Sequence, residues 1–304
     1  MPSVSSLDEA AAALTAAHAE GRQVRIGDDL TAGGLNRILE HDPGDLTCTI
    51  EAGVRLSALR AALAASGQRL SLDPPGDPTI GALLAQNLSG PLRHRFGAPR
   101  DLVLGATLVL ADGTIASAGG KVVKNVAGYD LARLVCGSEG RLALIGRASF
   151  RLHPVPRATR TLVVETEAAA DVVGKLLGSQ LQPSALDVLY PGRVAVLFEG
   201  SERAVDAQVR ATQALIGGDE TDTSVWDESR DRQEASKGRV HFAPGSLADV
   251  LAGLANAVIR PAAGVAFTLE PIPSVDQSQG ASRGAEALVE RIRREFDPRG
   301  VLAS

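Results

Sequence analysis

Residues 73–101 read DPPGDPTIGALLAQNLSGPLRHRFGAPRD. Pro74, Pro75 and Pro78 fix φ and remove backbone donors, while Gly76, Gly81, Gly90 and Gly97 allow turns and close approaches that a Cβ would forbid. Within the stretch only TIGALLAQN has the composition of a short helix. A segment punctuated in this way can present backbone N–H groups to an anion or lie against a flat ligand. Asn87 and Ser89 add neutral hydrogen-bonding groups, and Arg93, Arg95 and Arg100 add positive charge. A plain surface Ω-loop can have the same composition, so the residues alone leave both readings open.

A second stretch, GGKVVKNVAGYDL at 119–131, is equally irregular. Lys121 and Lys124 stand three apart on an apolar frame, and the run is too glycine-rich for a plain strand and too poor in helix formers before Asp130 for a helix. A solvated strand face also accounts for the lysines.

The surroundings are ordinary α+β. Residues 7–19 are helical and stop at Gly21, VRI at 24–26 is a short strand, and LNRILEHD after Gly33-Gly34 places Leu35, Ile38 and Leu39 on one helical face. LTCTIEAGV (46–54) alternates as a strand, and a helix follows from Arg55 to the stop at Gly67. The run from 102 to 120 reads as a hairpin turning at Asp112-Gly113, and 141–156 as one or two strands ended by prolines. Beyond residue 158 the order is strand, helix, strand, strand, helix over 160–216, then a polar stretch to 240, a helix near 246–257, the strand GVAFTLE and a helix at 283–296. Two β-α-β passes there predict a ferredoxin-like sandwich, with the boundary at 156/157. The stripe Ala287, Leu288, Ile292, Phe296 is expected to carry the last helix back onto the first half.

A net charge of −5 and a pI of about 5.6 argue against nucleic acid as a partner. No apolar run reaches the ~20 residues of a membrane span, and the N-terminus has no basic region ahead of an apolar core, so a cytoplasmic protein is expected. Cys48 and Cys136 are far apart and outside any CxxC, and read as small buried residues. The five histidines form no HxH or HExxH pair, so no metal is expected. His94 reads as a polar loop residue.

Both stretches, with ARLVCGSEGRLALIGRASFRLHP behind the second and REFDPRGVLAS at the end, resemble the FAD-binding subunits of bacterial glycolate oxidases. These belong to the flavoprotein family of vanillyl-alcohol oxidase and p-cresol methylhydroxylase (PCMH). The resemblance implies a two-lobed PCMH-type FAD-binding domain at 1–156, its N-terminal lobe shortened, followed at 157–304 by a ferredoxin-like cap. It implies non-covalent FAD along Pro75, Thr79, Ile80, Gly81, Asn87, Ser89, Gly90 and Gly97, completed by Asp101, Gly137, Gly140 and Ile145, with Lys124, Asn125 and Tyr129 nearest the ring. It further implies a sister flavin subunit, an iron–sulfur subunit and a small 2-hydroxy-acid substrate.

One departure stands out. The resemblance calls for a Gly-Gly-Gly-Thr type loop after the first strand to hold the diphosphate, and here VRI runs into Gly27-Asp28-Asp29-Leu30-Thr31. Two aspartates stand where a dianion belongs, and Glu139 lies within the Gly-x-x-Gly loop. The lone chain is therefore expected to hold FAD poorly. The alternative is a flavin-free scaffold that docks a catalytic partner.

Overall fold

The computed structural model of the chain describes residues 3–120, 130–271 and 283–303. The expectations for Lys124, Asn125 and Tyr129 fall outside the described residues.

Helix α1 (Leu7–Glu20) starts where the Ser6 hydroxyl accepts the Glu9 amide and ends at Gly21 in the left-handed region. Strands β1 (Ile38–Asp42) and β2 (Thr47–Glu51) precede α2 (Leu56–Ala64) and the short β3 (Gln68–Arg69). The 73–101 segment carries three short helices, α3 (Ile80–Ala85), α4 (Arg93–Phe96) and α5 (Pro99–Leu102). Strands β4 (Val103–Val109) and β5 (Ile115–Gly119) form the expected hairpin, with Gly113 at φ +88 in its turn. Helix α6 (Leu131–Leu134) and strands β6 (Leu144–Arg151) and β7 (His153–Pro154) complete this half.

Five strands make one antiparallel sheet in the order β1-β2-β6-β4-β5. Its core packs Ile50, Leu56, Leu63, Leu83, Leu84 and Phe150 beneath α2 and α3. Residues 35–42 are not the helix that their apolar spacing predicts. Leu35 is buried, but Ile38 and Leu39 are exposed, and the segment pairs with β2 as an edge strand with a bulge between Ile38 and Glu40. The N-terminal lobe reduces to α1 and a turn. Val24 is not part of a sheet but bridges to Leu302, and the two share a small core with Leu14, Leu30, Leu35 and Val109.

The second half begins with β8 (Ala158–Glu165), α7 (Ala169–Leu177), β9 (Ala185–Tyr190), β10 (Arg193–Gly200), α8 (Glu202–Ile216) and β11 (Asp219–Thr221). These strands lie in the order β11-β8-β10-β9, all antiparallel, the split arrangement of a β-α-β-β-α-β unit. The sheet does not end there. The polar stretch 217–240 also holds α9 (Ser224–Glu234) and β12 (Gly238–His241), and after α10 (Leu247–Ala252) come β13 (Ala257–Arg260) and β14 (Val265–Thr268). The last three strands extend the sheet to seven, in the order β11-β8-β10-β9-β13-β14-β12. The expected helix to 257 stops at Ala252 because 257–260 are fully buried strand.

One face of this sheet, including Leu186, Val196 and Phe198, packs under α7, α8 and α10. The other face, including Leu189 and Leu197, meets Val225 and Trp226 of α9 together with Leu92 and Phe96 of the first half. A bidentate ion pair from Arg69 to Glu199, at 2.7 and 2.6 Å, joins the halves at their edge. Finally α11 (Arg283–Phe296) lays Ile292 and Phe296 on the first core. Ala287 and Leu288, expected in the same stripe, are exposed. After α11 the buried Asp297 carboxylate accepts the amides of Val301 (2.8 Å) and Leu302 (2.7 Å), which fixes the turn that brings Leu302 to Val24.

Candidate functional site

A cleft of about 890 Å³ opens where the turn after Val24, the start of α3, the loop before β6 and strand β12 converge. That volume lies in the range of cofactor sites. Ala32, Ala52, Ala82, Ala85, Leu88, Leu144 and Ile145 give it an apolar wall suited to a flat ring system. Asp28, Thr31, Thr79, Gln86, Glu139 and Arg239 are its polar lining.

Of the residues singled out from the sequence, Thr79, Gly81, Gly140 and Ile145 line the cleft. Ile80 is fully buried in the core. Pro75, Asn87, Ser89, Gly90, Gly97, Asp101 and Gly137 are not among the lining residues. Their conformations answer to the protein itself. A Cβ on Gly90 would sit 1.8 Å from the Asp73 carbonyl, and one on Gly97 would sit 2.6 Å from the Asp101 carboxylate, which accepts the Ala98 amide at 2.8 Å and starts α5. Asn87, at φ +50, accepts the Arg100 amide at 3.4 Å, and the Gly137 amide donates to Leu84. The glycines and prolines of 73–101 thus fold this segment onto itself. Arg239, Gln86 and Ala52 were not anticipated; the alternation GRVH at 238–241 is the signal that could have placed Arg239 on a strand.

The turn at 25–30 is closed on itself. The amides of Asp28, Asp29 and Leu30 point to the Arg25 carbonyl (3.3, 2.8 and 3.3 Å), the Gly27 amide donates to the Leu30 carbonyl (2.9 Å), and the Asp29 carboxylate accepts the Arg25 amide (2.9 Å). At the start of α3 the amides of Ile80 and Gly81 donate to Val54 and Ala52, and that of Ala82 to the Thr79 hydroxyl. The donors that would cradle a diphosphate at these two places are therefore already used. Charge runs the same way, since Asp28 and Glu139 stand at this end; Glu139 is paired with Arg141 at 2.7 Å.

The opposite end is basic. Beneath it lies a buried network across the two halves. The Ser89 carbonyl accepts Gln233 (3.0 Å) and Arg260 (3.4 Å), Arg260 also donates to Gln233 (2.7 Å) and lies 3.6 Å from Asp187, and Asp187 accepts the Ser229 hydroxyl. Asp73 accepts the Leu92 amide (3.0 Å) and faces Arg230 at 3.5 Å. Burial raises both carboxyls above their ordinary range, Asp73 to about 7, against the opposing pull of Arg260 and Arg230. Burial also pushes the free Cys48 and Cys136 thiols up to about 12, which keeps them protonated and unreactive. Among the described residues no group of three or more His, Cys, Asp or Glu is placed to hold a metal.

Residues 29–119 match the FAD binding domain family, a domain of the PCMH type, and FAD is the cofactor that this match and the relatives point to. The chain is homologous to glycolate oxidase subunits. It is 35% identical to glycolate oxidase subunit GlcE of Escherichia coli over 64% of its own length and 56% of the relative's, and 37% identical to subunit GlcD of Bacillus subtilis over 58% and 39%. It therefore spans about half the length of these relatives or less. Its fold follows a solved alkyldihydroxyacetonephosphate synthase with a TM-score of 0.73, at 16% identity, over 98% of this chain and 74% of that one. No helix among the described residues is long and apolar enough to cross a membrane.

Proposed function

We propose that the chain is the FAD-binding subunit of a glycolate oxidase-like 2-hydroxy-acid dehydrogenase, in which 1–156 hold the flavin and 157–304 form a cap that ends in a returning helix. The observation that carries this reading is the cleft, bounded by the family's FAD-binding segment on one side and by β12 of the second half on the other. When bound, the flavin supplies the acceptor for the hydride removed from the hydroxyl-bearing carbon. The chain's own part is to bind and orient. Ala52, Ala82, Ile145 and Leu88 give the ring an apolar bed, Thr79 and Gln86 offer polar contacts, and the cap shields the site from water. The relatives' names, glycolate oxidase subunits, support partner subunits; that these are a sister flavin subunit and an iron–sulfur subunit, in the cytoplasm, belongs to the same proposal.

The closed, acidic turn at 25–30 favours a second reading, a flavin-free scaffold that docks the catalytic subunits. Flavin titration of the purified chain by fluorescence quenching, alone and with its partner subunits, separates the two. Saturable binding in either preparation supports the enzyme subunit. A colourless chain that stays unquenched with partners present supports the scaffold.

A further inference from the structure

We propose that Arg93 and Arg239 form a binding site for a small organic carboxylate at the cap end of the cleft. Arg239 projects from β12 into the cleft, and its guanidinium lies 5.4 Å from the centre of the Phe267 ring, its cross-strand partner. Arg260 lies over the same ring at 5.1 Å and reaches the Ser89 carbonyl. Arg93, at the start of α4, donates to the Ser89 hydroxyl at 3.3 Å. Ser89 thus gathers Arg93 and Arg260 on one residue, and Phe267 ties Arg260 to Arg239.

The three cations differ in what balances them. Arg260 has Asp187 beside it and is held in the buried network. Among the described residues neither Arg93 nor Arg239 has a carboxylate within ion-pair distance. Asp101, whose charge reaches Arg93, is turned to the Ala98 amide. His241, two residues along β12, adds no negative charge; burial first, then Arg239 and Arg93, hold its pKa below the usual value. Partial burial, then the charge of Arg260, depresses the Arg93 guanidinium, and partial burial, then the charges of Arg93 and Arg260, depresses that of Arg239. An anion placed between them relieves that repulsion. A planar carboxylate matches the guanidinium fork, and the buried Phe267 ring beside Arg239 keeps water from one side, which strengthens the pairing. That the carboxylate belongs to a 2-hydroxy acid rests on the function proposed above; the existence of the site does not.

The test is calorimetric titration of the full chain, without added flavin, with glycolate, its amide glycolamide and inorganic phosphate. Glycolate is expected to bind, glycolamide not to bind, and phosphate to bind more weakly. Arg93→Gln and Arg239→Gln should each lower glycolate affinity about tenfold or more, with Arg239→Lys in between, because each removes charge-assisted hydrogen bonds. Circular dichroism and the urea midpoint should stay as in the parent, since Arg239 is exposed and Arg93 only half-buried. Absence of glycolate binding, unchanged affinity in both glutamine variants, or equal binding of glycolamide or phosphate would overturn the assignment. FAD and riboflavin titrations distinguish the other source of an oxyanion. If Arg239→Gln weakens FAD while leaving riboflavin and glycolate untouched, the guanidinium serves the cofactor's phosphates and the proposal falls. If glycolate binds as expected while flavin does not, the carboxylate site stands and the flavin reading fails by itself.

Discussion

The two ends of the cleft use the same kinds of group in opposite ways. At the 25–30 end the backbone amides of Arg25 and residues 27–30 are consumed by their own turn, and the exposed charge is acidic. At the β12 end the donors are guanidinium groups held by a buried network, and two of them lack an acidic partner among the described residues. A closed turn gains stability by satisfying its donors internally and loses the ability to satisfy a ligand's acceptors. The proposed carboxylate site accordingly lies where side chains, not backbone, carry the donors.

The strongest way to break the comparison is to remove the pillar of the basic end. Arg260 and Asp187 are 2% and 0% exposed, so Arg260→Met leaves a buried carboxylate without its cation. The expected cost is about 3–5 kcal/mol, read as a lower urea midpoint, with much of it recovered in the double variant Arg260→Met/Asp187→Leu, which leaves no orphaned charge. A loss below about 1 kcal/mol would mean that water already reaches the network.

Next in size is a test of what the glycines are for. Gly90→Ala brings a Cβ against a backbone oxygen that cannot swing away, and roughly 3 kcal/mol of stability should be lost. Gly81→Ala meets the Ala52 Cβ at 3.1 Å, a contact that small shifts relieve, and should cost about 1 kcal/mol or less. Equal midpoints for the two variants would overturn the packing account and return Gly90 to the ligand-contact role that the sequence suggests.

The pH dependence sharpens the contrast between the network and the joint between the halves. The Asp73 carboxyl titrates near 7 in the folded chain, chiefly through burial, and near 4 when unfolded. Between those values the native state holds the extra proton, so this group's contribution to stability falls as pH rises from 4 to 7, by at most about 4 kcal/mol. His153, whose ring lies tilted against Phe96 with centres 4.8 Å apart, works the other way. Burial, then Arg151 and Arg69, lower its pKa to about 4, so the unfolded chain holds the extra proton and stability rises with pH from 4 to 6.5. Urea midpoints across pH 4–7 should rise more steeply with pH in Asp73→Asn than in the parent, and less steeply in His153→Gln. Parallel curves for all three proteins would remove both assignments.

Much of the fold could be read directly. The hairpin at Asp112-Gly113, the helix closed by Gly21 and the strand-helix-strand-strand-helix run after 158 follow from local pattern alone. Each miss has a physical cause. Residues 38–42 form an edge strand with Ile38 and Leu39 exposed, and the buried Leu35 precedes it, so the apolar spacing imitates a helix. α9 was hidden because, beyond Val225 and Trp226 in its first turn, its inward face is Ser229 and Gln233, and residues that serve a buried polar network look like a solvated loop in a sequence. Strand β13 was not anticipated, and the expected helix ran to its first residue, because AVIR, buried on both faces, has no period of its own. In the site, the resemblance located four lining residues. Proline and glycine spacing could not separate a ligand cradle from a segment packed on itself, since both demand the same backbone freedom.

The smallest expected effect lies at the acidic end. Asp28 lines the cleft and Asp29 does not, and only Asp29 is engaged, as acceptor of the Arg25 amide. If FAD's diphosphate lies near this turn, Asp28→Asn removes a repulsion through water without disturbing the turn. FAD affinity should rise about two- to fivefold at low salt, because two charges several ångströms apart in water interact weakly. The gain should vanish in ~1 M salt, where the screening length is about 3 Å. Riboflavin, which carries no phosphate, should bind both proteins equally. Asp29→Asn is the contrasting variant: it weakens the bond that closes the turn, and any gain in FAD affinity should then persist in high salt, because freed amides rather than relieved charge would be responsible. An Asp28→Asn chain whose affinity for FAD matches the parent's at every salt concentration would place the diphosphate elsewhere in the cleft, and the closed turn would then carry no weight against flavin binding.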